Sequence, residues 1–125
     1  MNGIKTIIRR ILEQLRLIPR TEIGVITVST NPAPDGLPPR LLVLVGEGHF
    51  HKWAYLACPC GCGHPIMLSL SKTKRPAWHV GVDWLGRPTV EPSVRQTAGC
   101  YSHFWLRKGR IDWCGDTGKP WRYAP

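Results

Sequence analysis

Three cysteines and a histidine fall within seven consecutive residues of the chain, Cys58-Pro-Cys60-Gly-Cys62-Gly-His64. A second pair of soft ligands lies far downstream, in Cys100-Tyr-Ser-His103. Two short Cys/His clusters that are distant in sequence are typical of zinc and iron–sulfur sites, because each turn supplies two ligands and the fold brings the turns together. The spacing therefore predicts a metal site.

Glycine follows both Cys60 and Cys62, and this placement suits a zinc knuckle. Glycine allows the sharp turn in which backbone amides point at the thiolates. A Cys₃His or Cys₂His₂ tetrahedron can be drawn from six candidate ligands, which are Cys58, Cys60, Cys62, His64, Cys100 and His103. Four positions and six candidates leave the ligand set open at this point.

An iron–sulfur centre is the alternative metal site. Cys62-Gly-His64 followed by Cys100-Tyr-Ser-His103 has the C-x-H…C-x-x-H order of a Rieske [2Fe–2S] centre. The match is imperfect, since Phe104-Trp105 follows the second histidine where glycine-rich sequence is usual, and the thiols of Cys58 and Cys60 have no role in that scheme.

No catalytic residue is assigned from the sequence. A zinc deaminase needs H-x-E and P-C-x-x-C, and the chain has neither. A hydrolytic zinc site needs a carboxylate as base, but the candidate carboxylates stand in no recognisable motif. Ser102 next to His103 is not a triad signature. We therefore expect a closed metal site in a protein that is not an enzyme, with a metalloenzyme as the alternative.

The composition fits one small cytoplasmic domain. The chain has 125 residues, a net charge of +9, 13 glycines, 12 prolines and 5 cysteines. Charged residues interrupt the N-terminal apolar stretch, which argues against a signal peptide, and no apolar run is long enough to span a bilayer. Thiols kept free for metal indicate a reduced compartment. The positive charge makes nucleic acid a possible partner, and a zinc-stabilised nucleic-acid-binding protein is a further alternative.

Residues 1–20 are expected to form an amphipathic helix. Apolar residues recur at helical spacing from Ile4 to Ile18, and Pro19 stops the helix. We expect Ile7, Ile11 and Leu15 to pack on the domain's own sheet. A helix lying on a membrane surface or docked on a partner protein is the alternative.

Residues 21–114 are expected to form a mainly β domain of the α+β class, a small metal-stabilised sheet or barrel that could be Rieske-like. Short β-branched and alternating runs are separated by proline and glycine turns. The loop Asn31–Pro39 is expected to join a hairpin, and Lys108-Gly109 predicts a two-residue hairpin turn. Cys114 is interpreted as a structural thiol, and residues 115–125 as an irregular tail.

The chain resembles the domain-of-unknown-function family 6527, which comprises small bacterial and phage proteins. The resemblance rests on Cys58-Pro-Cys60-Gly-Cys62-Gly, Glu91-Pro-Ser93-Val and Cys100-Tyr-Ser-His103-Phe-Trp, and covers roughly residues 40–114. It implies a metal-binding β domain encoded beside ubiquitin-like conjugation genes or in phages. By motif position it implies Cys60, Cys62, Cys100 and His103 as ligands, with Cys58 often matching. Ser93 is given no role beyond shaping a turn.

Together these observations predict a zinc-binding accessory protein that acts by binding another protein. The expected ligands are Cys60, Cys62, Cys100 and His103, with Cys58 as the main substitute. The resemblance suggests a component of ubiquitin-like conjugation as the partner, or a role in phage–host conflict. A Rieske-type redox protein containing a [2Fe–2S] cluster is the alternative.

Overall fold

The computed structural model describes residues 2–48 and 50–119, and it shows two four-stranded β-sheets with one N-terminal helix. This architecture confirms the predicted mainly β fold. The elements are α1 (Asn2–Gln14), β1 (Gly24–Val28), a short 3₁₀ turn (Pro34–Gly36), β2 (Leu41–Glu47), β3 (Phe50–Ala57), β4 (Pro65–Ser69), β5 (His79–Val82), β6 (Pro88–Arg95), β7 (His103–Arg107) and β8 (Arg110–Trp113).

The first sheet has the strand order β1-β2-β3-β4, and its first pair is parallel. The prediction that Asn31–Pro39 joins a hairpin is therefore wrong. Parallel neighbours require the chain to return to the end where the first strand began, which takes a crossover rather than a tight turn. Residues 29–40 make that crossover, and Leu37 packs against Val43, Val45 and Tyr55 on the outer face of this sheet.

The second sheet has the order β5-β6-β7-β8 and is antiparallel throughout. Arg107 pairs with Arg110, and the two intervening residues, Lys108 and Gly109, have φ of 48° and 74°. Positive φ at both central residues is the geometry of a type I′ turn, which confirms the predicted hairpin.

Strand β6 contains a bulge where it pairs with β7. Val90 pairs with Leu106 and Val94 with Phe104, so three residues of β6 stand opposite one residue of β7 between these pairs. This bulge contains Ser93. Bulges re-aim side chains and are common beside active sites.

The main core lies between the two sheets. Its buried strand residues come from both sheets, and they are Leu42, Leu44, Ala54, Leu56, Ile66, Leu68, Val90, Val94, Phe104 and Leu106, with Ile23 and Cys58 added from outside the strands. On β7 the alternation is complete, since Phe104 and Leu106 are buried whereas His103, Trp105 and Arg107 point away from the core. The outward face of the second sheet therefore carries polar and aromatic groups in a row.

The N-terminal helix forms as expected, but its apolar side does not pack on the domain. Ile7, Ile11 and Leu15 are 58%, 49% and 63% exposed. The side chains of Arg9 and Glu13 are instead largely covered, and Thr21 donates a hydrogen bond of 3.1 Å to Glu13. The prediction of a packed apolar stripe is wrong because helical spacing identifies the apolar face without specifying what covers it.

The segment after β8 is a series of turns through residue 119, and residues 120–125 of the predicted tail lie outside the described part of the chain. The helix ends at Gln14 rather than near Pro19, with Arg16 at a φ of 59° in the turn that follows. In the part of the chain that the structure describes, we find no helix with the length and apolar character needed to cross a bilayer.

Candidate metal centre and catalytic triad

Four cysteines meet between the two sheets. Cys58, Cys60 and Cys62 come from the turn between β3 and β4, and Cys100 comes from the turn before β7. Their sulfur atoms all lie within 4.8 Å of one another. The distances from Cys58 Sγ are 3.3 Å to Cys60 Sγ and 3.6 Å to Cys100 Sγ, and Cys62 Sγ is 3.6 Å from Cys100 Sγ.

Glycine makes the sharp turns of this cluster possible. Gly61 and Gly63 have φ of 93° and 79°, and Gly99 has a φ of 69°. Side-chain-bearing residues rarely adopt these values, so the glycines beside the cysteines have a direct conformational purpose. The turn also directs the amide of His64 at Cys62 Sγ, at 3.5 Å.

The sulfur separations fit a metal ion. A tetrahedral ion with metal–sulfur bonds of about 2.3 Å places its sulfurs about 3.8 Å apart, close to the observed spacing. A disulfide would require about 2.05 Å, and all five cysteines are free. Four thiols at tetrahedral spacing could therefore hold one metal ion, as the sequence predicted in general terms.

Ser102 belongs to this cluster rather than to a catalytic site. It is only 1% exposed, and its Oγ lies 3.0 Å from Cys100 Sγ and 3.3 Å from Cys58 Sγ. The hydrogen bond with Ser102 lowers the pKa of the Cys100 thiol to about 6, whereas burial raises the pKa of Cys58 to about 12. The hydroxyl thus favours negative charge on Cys100, the form in which a thiol binds metal.

His103 lies outside the cysteine cluster, although the sequence predicted it to be a metal ligand. His103 is the first residue of β7 and Ser102 directly precedes it, so their side chains point to opposite faces of the sheet. Ser102 points inward to the sulfurs, and His103 points outward, where its ring nitrogens contact other residues. Cys58 takes the fourth place among the clustered side chains. His64, the other histidine considered, is also not part of the group.

The ring of His103 connects a serine to a carboxylate. Ser93 Oγ lies 3.0 Å from His103 Nε2, and His103 Nδ1 lies 2.7 Å from Asp116 Oδ1. These contacts reproduce the geometry of a Ser-His-Asp triad, in which a hydroxyl meets one ring nitrogen and a carboxylate meets the other. Ser93 and Asp116 are half-buried, so the serine remains within reach of a substrate.

Asp116 is held in its charged form by His103 and, second, by Arg95. Arg95 Nη2 forms a close ion pair with Asp116 and lies 2.9 Å from His103 Nδ1. A carboxylate only accepts hydrogen bonds, so Nδ1 carries the proton and donates it to Asp116, which leaves Nε2 free to accept from Ser93. The hydrogen bond from His103, followed by that from Arg95, lowers the pKa of Asp116 to about 2. Asp116 is therefore ionised at neutral pH.

Each member of the triad is held by its own element. Ser93 sits in the bulge of β6, where the Trp78 indole donates a hydrogen bond of 3.2 Å to its carbonyl. Asp116 lies in the turn after β8, which is tied to β7 because the His103 amide donates to Thr117 Oγ1 at 3.0 Å. The same turn is closed by the Gly118 amide, which donates to the Tyr101 carbonyl at 2.9 Å.

Sequence reasoning did not find Ser93 and Asp116. Ser93 was noticed only as part of Glu91-Pro-Ser93, and Asp116 lies in the segment that was interpreted as an irregular tail. The usable signal was a serine directly after proline in a strand, since proline inside a strand indicates a bulge. Cys114, interpreted as structural, lies near His103 and Asp116, and the three could also hold a metal ion. Both ring nitrogens of His103 are already engaged by Ser93 and Asp116.

Comparison with known proteins places the chain in a family. No curated protein and no solved structure matches it. The resemblance to family 6527 is not shown by the comparisons, but the expected connection with ubiquitin-like conjugation is confirmed at the level of the system. A family model described as bacterial ubiquitination-like system serine protease (BubE) matches residues 29–114, a range that contains Ser93 and His103 and ends just before Asp116. Because that match spans more than half of the chain, the protein belongs to the BubE family of a bacterial ubiquitination-like system.

Proposed function

We propose that the protein is a serine protease in which Ser93 is the nucleophile, His103 the general base and Asp116 the orienting carboxylate. The observation that carries the proposal is the continuous chain of contacts from Ser93 Oγ to His103 Nε2, at 3.0 Å, and from His103 Nδ1 to Asp116 Oδ1, at 2.7 Å. The description of the family supports the same class of activity. This proposal departs from the sequence-based expectation of a non-enzymatic interaction protein.

The geometry assigns a step to each side chain. Ser93 Oγ attacks the substrate carbonyl carbon while His103 Nε2 accepts the hydroxyl proton, which gives a tetrahedral intermediate. Asp116 stabilises the imidazolium that forms, since Nδ1–H already points at its carboxylate. His103 then gives the proton to the leaving group as the carbon–nitrogen bond breaks, and an acyl-enzyme remains on Ser93. Water repeats the sequence and releases the acid.

The proposed substrate is a ubiquitin-like protein of the same system, or a conjugate of it. The support is the description of the family as a serine protease of a bacterial ubiquitination-like system. The half-buried position of Ser93, on the outward side of the second sheet, suits an extended chain terminus laid across that face.

We also propose that Cys58, Cys60, Cys62 and Cys100 bind one zinc ion with a structural role. Four thiolates fill a tetrahedral shell, so no position is needed for water. When bound, the metal would link the β3–β4 turn to the segment that enters β7, and so would stabilise the backbone carrying His103. The ion would therefore support the triad without taking part in the chemistry.

Reaction with a fluorophosphonate probe tests the catalytic proposal without knowledge of the natural substrate. Such probes phosphonylate an activated serine, and the modified residue is identified by mass spectrometry of the intact protein and its peptides. We expect stoichiometric labelling of Ser93 and a loss on the order of 10⁶-fold in hydrolysis for Ser93→Ala. Ser102→Ala is the matched control, because its hydroxyl faces the thiols, and it should still be labelled at Ser93. Labelling that persists in Ser93→Ala, or that maps to Ser102, would contradict the assignment.

A further inference from the structure

The outward face of the second sheet contains a cavity beside the triad that the proposed chemistry has not used. The cavity has a volume of about 650 Å³, and Glu91 and Trp105 line one end of it. Trp105 is two residues from His103 on β7 and points to the same face, which separates the two side chains by about 7 Å. Glu91 lies at the start of the β6 bulge that contains Ser93. The cavity therefore begins about 7 Å along β7 from His103, and its lining does not include Ser93 or His103 themselves.

The far end of this cavity is basic. Arg107, Lys108 and Arg110 line it, and Arg107 lies about 13 Å along β7 from His103. Arg107 pairs with Asp112 at 2.8 Å and stacks on Trp105, with 4.5 Å between its guanidinium carbon and the ring centroid. Lys108 and Arg110 are exposed and form no ion pair within the described part of the chain. Their positive charge is left for a ligand.

We propose that this cavity is a substrate subsite for an acidic residue, and we call the group Trp105, Arg107, Lys108 and Arg110 the basic subsite. The inference rests on the proposed protease function. An extended peptide advances about 3.3–3.6 Å per residue, so a carboxylate in the subsite belongs to a residue two to four positions from the scissile bond. The flat ring of Trp105 supports the intervening peptide, and the guanidinium of Arg110 can bind the carboxylate through two hydrogen bonds.

A second cavity, of about 670 Å³, does not compete for this role. It lies beside Cys58 and Cys60, between the cysteine turn and the crossover of the first sheet, and no residue of β6 or β7 lines it. The cavity that contains the basic subsite is lined by Thr89 and Glu91 of β6 and by Trp105 and Arg107 of β7. It is therefore the cavity formed by the two strands that carry Ser93 and His103.

Profiling of cleavage sites in a mixture of proteome-derived peptides tests the proposal. We expect Asp or Glu to be enriched two to four residues from the cleaved bond on one side. For a peptide chosen from that profile, replacing this Glu by Gln should lower kcat/KM about 5- to 10-fold at 50 mM NaCl. The effect should shrink at 500 mM NaCl because salt screens exposed charges. A Glu/Gln ratio near one at all of these positions would overturn the proposal.

Charge-reversal variants of the protein complement the Glu-to-Gln substitution in the peptide. Arg110→Glu should bring the Glu/Gln ratio to one or below, whereas Lys74→Glu, in an exposed loop that does not line the cavity, should leave it at the wild-type value. If Lys74→Glu lowers the Glu/Gln ratio of kcat/KM as much as Arg110→Glu does, the effect is general electrostatic attraction and the subsite is refuted. The ratio is internal to each variant, so a change in overall activity does not affect it.

A binding measurement separates failure of the subsite from failure of the protease proposal. Fluorescence anisotropy of a labelled eight-residue peptide with three glutamates is compared with its glutamine counterpart on the Ser93→Ala protein, where no turnover is required. Tighter binding of the glutamate peptide, by about 5-fold or more, supports the subsite even if no peptide is cleaved and Ser93 is not labelled. Equal binding of the two peptides, or no binding of either at 1 mM protein, refutes the subsite whatever the catalytic result.

Discussion

Replacing Asp116 by asparagine tests whether the His103 tautomer governs catalysis. The substitution keeps the size of the side chain and removes its charge. In Ser-His-Asp enzymes the loss of the orienting carboxylate lowers turnover by up to about 10⁴-fold, because the imidazole is held in the wrong tautomer. Asp116 retains 44% of its side-chain exposure, so water could partly replace it and moderate this loss.

Arg95 makes the large loss the expected outcome despite that exposure. Its Nη2 is already 2.9 Å from His103 Nδ1, and in wild type its charge is balanced by Asp116. Without the carboxylate, the guanidinium can donate to Nδ1 and place the ring proton on Nε2, where it blocks acceptance from Ser93. We therefore expect Asp116→Asn to lower the rate about 10³- to 10⁴-fold.

A double variant distinguishes this account from a general loss of structure. Adding Arg95→Ala to Asp116→Asn removes the competing donor, so labelling by the fluorophosphonate probe should recover at least about 5-fold, whereas Arg95→Ala alone should slow labelling. Asp112→Asn is the matched control, since Asp112 pairs with Arg107 on the neighbouring hairpin. If Asp116→Asn labels within about 5-fold of wild type, or if the double variant is slower than Asp116→Asn alone, the tautomer argument fails.

Three further predictions concern the metal, the helix and acid. Cys100→Ser should lose stoichiometric zinc by elemental analysis and most of its stability, since structural zinc contributes about 10 kcal/mol or more. Cys114→Ser, outside the four-cysteine cluster, should keep its metal, and full metal content in Cys100→Ser would argue against the site. Ile11→Asp should change Tm by no more than about 2 °C because this side chain is exposed, whereas Ile23→Asp at a buried position should prevent folding. A large drop in Tm for Ile11→Asp would mean that this face of the helix is covered. The folded-state pKa of Asp116 is lowered to about 2, so the stabilising effect of its charge is fully present above the unfolded pKa of about 3.9 and is lost as the pH falls through 2. The difference in unfolding free energy between wild type and Asp116→Asn, measured in urea, should therefore decline between pH 5 and pH 2.

Local signals in the sequence predicted most of the elements. Strand patterns placed the β domain, and the positive φ of Gly61 and Gly63 confirms why glycine follows the cysteines. The parallel pairing of β1 with β2 could not be predicted, because a proline-rich loop serves a hairpin or a crossover equally well. The orientation of the helix was also inaccessible, since the apolar spacing does not reveal that Arg9 and Glu13 would be the covered side chains.

The metal cluster and the triad differ in how visible they are in the sequence. Metal ligands come in pairs on one turn, so Cys58, Cys60 and Cys62 could be recognised from spacing alone. Triad members come from separate elements and have no fixed spacing, so Ser93 and Asp116 become partners of His103 only when β6, β7 and the final turn are assembled. His103 was predicted to be a ligand because it lies three residues after Cys100. That spacing does not reveal to which face of the sheet the His103 side chain points.

The placement of two centres so close together follows from the alternation of a β-strand. Ser102 and His103 are adjacent, and strand geometry sends one inward to the thiols and the other outward to Ser93 and Asp116. A metal ion bound by the four thiols would fix Cys100, three residues before His103, although Cys60 and Cys62 are themselves exposed. A small domain has few core residues with which to hold a catalytic loop rigid. A metal ion that cross-links that segment through four thiols would supply the rigidity and leave the opposite face open to the proposed substrate.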